Sequence, residues 1–347
     1  MRARGPRVPL ALLLLAMASA DPRAGWGAEI VDSAGRRVAV PQPVERVFAA
    51  GPPAAIVLYT LAPGKLLGWT RAPSPAETVY LAEPYRDLPA HGRLTGRGDT
   101  ASFESVLTLD PDLIVDLGSV GPTYADLADR VSRQTGIPAL LVGGRLAELP
   151  AAYRLLGRVL DAEARADRLA RYVEAVLEEV RERIAAIPDP ERPRYYYARG
   201  PEGLDTALSG GSNAEAMDLV GARNVAGKAT GRRGLATVSL EQVIHWNPEI
   251  ILTIEPDFAR DVRDDPRWET VTAVASGRVH LAPQWPFPWI DFPPSVNRVI
   301  GLRWLAGLLY PEAFPEPLEE VTREFYELFY MRQLTDDELE RLLHPLR

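Results

Sequence analysis

Apolar residues at Leu169, Val173, Val176, Leu177, Val180 and Ile184 keep a helical period through a stretch dominated by Ala, Leu, Arg and Glu. The spacing predicts a helix over 162–187, roughly 26 residues and about 39 Å long, stopped by Pro188 and Pro190. Elsewhere the pattern is shorter-ranged. Residues 29–47 form an edge hairpin, with Ile30-Val31-Asp32 and Val38-Ala39-Val40 about the turn Ser33-Ala34-Gly35. A strand over 44–50 runs into the turn Gly51-Pro52-Pro53, a helix follows over 54–61, and further strands fall at 65–70 and 138–142. A second such set opens at Tyr195-Tyr196-Tyr197 and closes in helices around 296–309, 318–330 and 336–343. Strands alternating with helices imply an α/β fold with mostly parallel sheets.

One segment occurs twice. Ser102-Phe103-Glu104-Ser105-Val106 with Pro111-Asp112-Leu113-Ile114 is echoed by Ser239-Leu240-Glu241-Gln242-Val243 with Pro248-Glu249-Ile250-Ile251, at a constant offset of 137 residues. Each copy reads as an N-capped short helix, a Pro-containing turn and a buried strand. Copies this far apart imply two Rossmann-like lobes, over 29–148 and 188–347, joined by a helical connection over 149–187. That connection is Gly- and Ser-poor, so it is a stiff strut and not a flexible hinge. Two lobes leave a cleft, and clefts bind small molecules.

Composition narrows the class. Arg2, Arg4 and Arg7 precede a Leu- and Ala-rich run of about ten residues that ends in Ala18-Ser19-Ala20. Residues 1–20 therefore read as a cleaved signal peptide, since a membrane span needs roughly twenty apolar residues. A second cut after Ala28 is the alternative. Losing those three arginines takes the formal net charge from −8 to −11, which does not suit a nucleic-acid partner. The absence of cysteine removes thiol catalysis, iron–sulfur ligation and a lipidated start.

The hairpin followed by Pro41 and Arg46-Val47, the paired Ser-x-Glu segments and the single connecting helix resemble the periplasmic substrate-binding proteins of ABC importers. The branch is the rigid-helix one, whose members carry ferric siderophores, haem, cobalamin and some oxyanions. The resemblance spans roughly 29–345. It implies a periplasmic monomer that hands a small ligand to a permease and its ATPase subunits. It also implies that Glu104 and Glu241, one per lobe, dock on arginines of the two permease subunits. Each carboxylate, near the start of a short helix, would in any case favour the helix dipole.

Ligand contacts are expected outside the carboxyl ends of the strands. The candidates there are Pro52, Arg71, Tyr80, Arg97, Tyr124, Tyr197, Arg199, Arg232, Arg233, Trp285, Phe287 and Trp289. Tyr197-Ala198-Arg199-Gly200 delivers a cation beside a glycine, or else a surface arginine paired with Glu202 or Asp205. Trp285, Phe287 and Trp289 share one side if their run is extended, which suits a planar or greasy ligand. Arg97, Arg232 and Arg233 hint at an anionic one. An iron chelate is the favoured ligand, with molybdate or tungstate as the alternative. The histidines, His91, His245, His280 and His344, form no close pair, so a naked transition-metal site is not expected, nor is any cofactor. Enzyme motifs are absent. Gly210-Gly211-Ser212-Asn213-Ala214 lacks the last glycine of a nucleophile elbow and reads instead as a loop in which Ser212 or Asn213 caps a helix over 214–220. Gly96-Arg97-Gly98 lacks the third glycine of a dinucleotide fingerprint.

Overall fold

The computed structural model describes residues 27–96, 98, 100–227 and 234–346. The expected leader over 1–20, Arg97, Arg232 and Arg233 lie outside the described residues. The hairpin is present as β1 (Ala28–Val31) and β2 (Arg37–Val40), paired antiparallel. The first lobe continues with β3 (Val47–Ala49), α1 (Pro52–Leu61), α2 (Pro75–Thr78), α3 (Phe103–Thr108), β4 (Leu113–Gly118), α4 (Pro122–Thr135) and β5 (Ala139–Gly143). Its sheet is parallel, in the order β3-β4-β5.

Two local expectations change. Pro52 and Pro53 do not make a turn but begin α1 behind Gly51, where the missing proline N–H groups have no helical partner to lose. Residues 65–70 are not a sheet strand. Leu66 and Trp69 form isolated bridges to Val47 and Ala90, and the Trp69 indole N–H donates to the Tyr85 carbonyl at 2.9 Å.

The connection over 149–187 is two helices, α5 (Leu149–Val159) and α6 (Glu163–Ala185), packed against each other. Asp161, at φ +51°, turns the chain between them. Only α6 is the strut. Its 23 residues span about 35 Å. Arg165 near its start donates to the Thr60 carbonyl at 2.7 Å, and Arg183 near its end donates to the Ala313 carbonyl at 2.9 Å. Of the predicted core face, Leu169, Val173, Val176, Val180 and Ile184 are buried and Leu177 is half-buried against the same core.

The second lobe contains β6 (Arg194–Ala198), β7 (Asp205–Leu208), α7 (Glu215–Leu219), β8 (Arg223–Asn224), β9 (Gly234–Thr237), α8 (Leu240–Trp246), β10 (Ile250–Thr253), α9 (Pro256–Asp261), α10 (Thr272–Ala275) and β11 (Val279–Leu281). Its parallel sheet has the order β11-β10-β6-β8, and β7 pairs antiparallel with β9. Neither Ser212 nor Asn213 caps α7, which starts behind Ala214 with no side-chain cap. The chain ends in α11 (Asn297–Leu309), α12 (Leu318–Phe325) with a π-turn over Tyr326–Tyr330, and α13 (Asp336–Leu343). This tail crosses to the first lobe. Tyr59 donates its hydroxyl to the Tyr330 carbonyl at 3.1 Å, and Tyr80 donates to that of Glu338 at 3.0 Å. One apolar cluster thus runs from the first sheet through α6 to α13.

Candidate functional site: the interlobe cleft

Two cavities lie between the lobes and share Pro52, Arg93 and Phe292. The first holds about 470 Å³ and is walled by Pro52, Ile56, Trp69, Trp285, Phe287 and Phe292, with Arg71 and Arg93 at its edge. The second holds about 600 Å³ and is lined by Asp116, Ser119, Tyr124, Arg145, Ser212 and Arg298 among others. Both volumes fall in the range of small-molecule sites. The first lobe contributes the turns that leave the carboxyl ends of β3, β4 and β5, as a parallel sheet dictates. Two of those turns meet backbone to backbone. A Cβ on Gly144 would lie 2.7 Å from the Gly118 Cα, so no larger residue fits there.

The second lobe presents a different surface. The loop after β11 folds over the end of β6 and forms the wall itself. Asp291 anchors it: the carboxylate accepts from the Tyr197 hydroxyl at 2.9 Å and from the Asn213 amide at 2.7 Å, and faces Arg199 Nε at 2.9 Å. Burial pushes this carboxyl above its usual range against the pull of Arg199, Asn213 and Tyr197. Tyr197 and Arg199 therefore stand behind the wall, holding it, and do not line either cavity. Arg199 pairs with Asp291, not with Glu202 or Asp205.

Trp289 also departs from the predicted site. Its run is bent, its side chain is wholly buried, and its indole N–H donates to the Tyr326 hydroxyl at 3.2 Å. Gly301 of α11 permits this packing, because a Cβ there would sit 2.0 Å from the Trp289 carbonyl oxygen. Tyr80 is buried against Tyr326 and outside both cavities. Pro52, Arg71, Trp285 and Phe287 line the first cavity, and Pro52 and Tyr124 the second.

The charges differ in how committed they are. Arg71 is held by Glu77, whose carboxylate accepts from Arg71 Nη1 at 2.7 Å. Burial pushes the Glu77 carboxyl up, but the Arg71 guanidinium and the Ser74 amide outweigh it and keep it below the ordinary range. Arg93 donates Nε to the Gly98 carbonyl at 3.0 Å and has no carboxylate partner among the described residues. It is the cation best placed for a ligand, since it borders both cavities. Burial raises the Asp116 carboxyl, while the Thr95 hydroxyl, 3.1 Å away, and the Leu117 N–H oppose that. Arg93, Trp69 and Phe292 escaped the sequence-based selection. The glycine beside Arg93 is the signal that could have found it; Trp69 looked like a strand residue.

Glu104 and Glu241 are exposed, each at the second position of its helix, α3 or α8. The Ser102 and Ser239 hydroxyls accept the Ser105 and Gln242 amides at 3.1 and 3.3 Å, completing matched capping boxes.

A family model described as periplasmic binding protein matches residues 68–285. The chain belongs to the periplasmic binding protein family. A solved ABC transporter solute binding protein from Sulfurospirillum deleyianum is 30% identical to it, with a TM-score of 0.82 over 90% of this binding protein and 98% of the other. The molybdate-binding protein MolA of Haemophilus influenzae is 26% identical over 287 residues, 76% of this chain and 78% of that protein. The haem-binding protein RhuT of Roseiflexus shares the fold, at 20% identity and a TM-score of 0.58 over 78% of this chain and 99% of that one. The α/β fold of two lobes with mostly parallel sheets is the family's, and the chain is a substrate-binding protein of an ABC transporter.

Proposed function

We propose that this protein captures an anionic metal chelate, of the ferric-siderophore kind, in the interlobe cleft and delivers it to an ABC permease. One observation carries this: the aromatic cavity of Trp69, Trp285, Phe287 and Phe292 shares Arg93, which has no carboxylate partner among the described residues, with a second cavity lined by Asp116, Ser119, Arg145 and Arg298. A chelate needs apolar walls for its organic shell and a cation for its charge. The metal, as cargo, stays in its own ligand. Among the described residues no group of three His, Asp or Glu side chains could hold it. Calorimetric titration with ferric catecholate, hydroxamate and carboxylate siderophores, haem, cobalamin and molybdate tests the assignment. Binding of molybdate alone would sink it.

Molybdate is the second reading. It is favoured by the Haemophilus relative and by the start of α4, where Gly121 leaves the helix without a side-chain cap beside the second cavity.

Export and docking complete the proposal. The mature chain begins at Asp21 or after Ala28 in the periplasm, which N-terminal sequencing of the exported protein tests. Glu104 and Glu241 dock on basic residues of the paired permease subunits. Reversing both charges should abolish uptake and leave ligand affinity intact.

A further inference from the structure

Leu107 and Ile244 are separated by the same 137 residues as Glu104 and Glu241 or Val106 and Val243. In α3, Val106 is fully buried, while Glu104 and Leu107 are exposed, Leu107 to 46%. In α8, Val243 is fully buried, while Glu241 and Ile244 are exposed, Ile244 to 37%. Residues three apart on a helix are neighbours, so each lobe shows a carboxylate and an aliphatic side chain together, opposite its core contact. A single exposed leucine needs no explanation. A carboxylate–aliphatic pair repeated at equivalent positions of two lobes, on helices fixed by matched capping boxes, does.

We infer that each lobe makes a two-part contact with the permease, Glu104 with Leu107 and Glu241 with Ile244, each pair entering a basic residue beside an apolar pocket. This rests on the docking reading above. Charge complementarity sets the partner's sign, and recurrence in both lobes sets its two-fold form. The carboxylates steer the encounter, and the aliphatic groups hold it once water has left.

The test is the binding of the mature protein to its permease–ATPase complex in nanodiscs at about 0.1 M and about 1 M salt, between which the screening length falls from about 10 Å to about 3 Å. L107S/I244S should weaken binding about tenfold at both salts and preserve the salt dependence. E104Q/E241Q should weaken it at low salt and flatten that dependence. Both variants should keep the wild-type melting temperature and ligand affinity, because all four residues are exposed and outside the cleft. If L107S/I244S, and L107Q/I244Q as a second pair, bind like wild type while E104Q/E241Q does not, the aliphatic contact is overturned and the docking reading stands. If none of the variants is weakened, both fall.

Discussion

Arg298 of α11 and Glu215 of α7 form a buried ion pair, and each partner also hydrogen-bonds to the backbone of the other lobe. Arg298 Nη2 donates to the Gly144 carbonyl at 2.7 Å, and Glu215 Oε1 accepts the Leu146 N–H at 3.2 Å. Arg298 is only 1% exposed. Removing Glu215 takes the carboxylate from the buried Arg298, whereas removing Arg298 leaves Glu215 with Arg145 Nε at 3.3 Å. Glu215→Met should cost about 3–5 kcal/mol of stability, Arg298→Met less because Arg145 still faces Glu215, and the double replacement less than their sum. Denaturant titration of the single and double variants measures this. Additive losses would mean that the pair does not act as a unit.

The same pair bears on closure. It bridges the lobes beside the cleft, α6 is fastened at both ends, and the tail binds the first lobe through Tyr59 and Tyr80. A hinge motion would break these bonds together. The radius of gyration from X-ray scattering should therefore be nearly the same with and without ligand. A marked contraction on binding would contradict this.

The fold was legible because its signals are local. The helical period from Leu169 to Ile184 and the twin segments each carry their meaning within a few turns. The cleft was half legible. Trp285 and Phe287 reach it, but Trp289 two residues on does not, because whether an aromatic side chain faces a ligand or the core depends on Tyr326 and Gly301, far along the chain. Arg199 was misplaced for the same reason: its partner Asp291 lies 92 residues away. The start of α6 was legible to within one residue, since the predicted helix begins at 162, but the separate helix α5 before it was not.

Wall and backing should separate experimentally. Arg93→Gln should lower affinity for an anionic chelate about 10- to 100-fold, and Phe292→Ala about tenfold, with little change in melting temperature. Trp289→Ala should do the reverse in kind, destabilising by about 3–5 kcal/mol. Tyr80→Phe should leave affinity unchanged. Calorimetry and thermal melting on the same four variants decide. Wild-type affinity in Arg93→Gln would remove that arginine from the site.

Acid sensitivity has an identifiable source in the second lobe. Burial, then Arg278 and Arg263, push the His280 imidazole on β11 from 6.5 down to about 4. Between those values the unfolded chain binds a proton that the folded chain refuses, so stability falls as pH drops through this window. The loss from His280 is at most about 3 kcal/mol. His280→Gln, neutral throughout, should therefore lose less stability than wild type between pH 6.5 and pH 4. Glu316 acts lower on the scale. Its hydrogen bond to Arg183 outweighs burial and holds its carboxyl at about 2 instead of 4.5, so its contribution is present above 4.5 and disappears as pH falls towards 2. With 38% of that side chain exposed, solvent screening limits it to about 1 kcal/mol. Urea titrations of wild type, His280→Gln and Glu316→Gln across the two windows should show the histidine variant diverging from wild type first as pH falls. Parallel curves for wild type and His280→Gln would exclude His280 as the source.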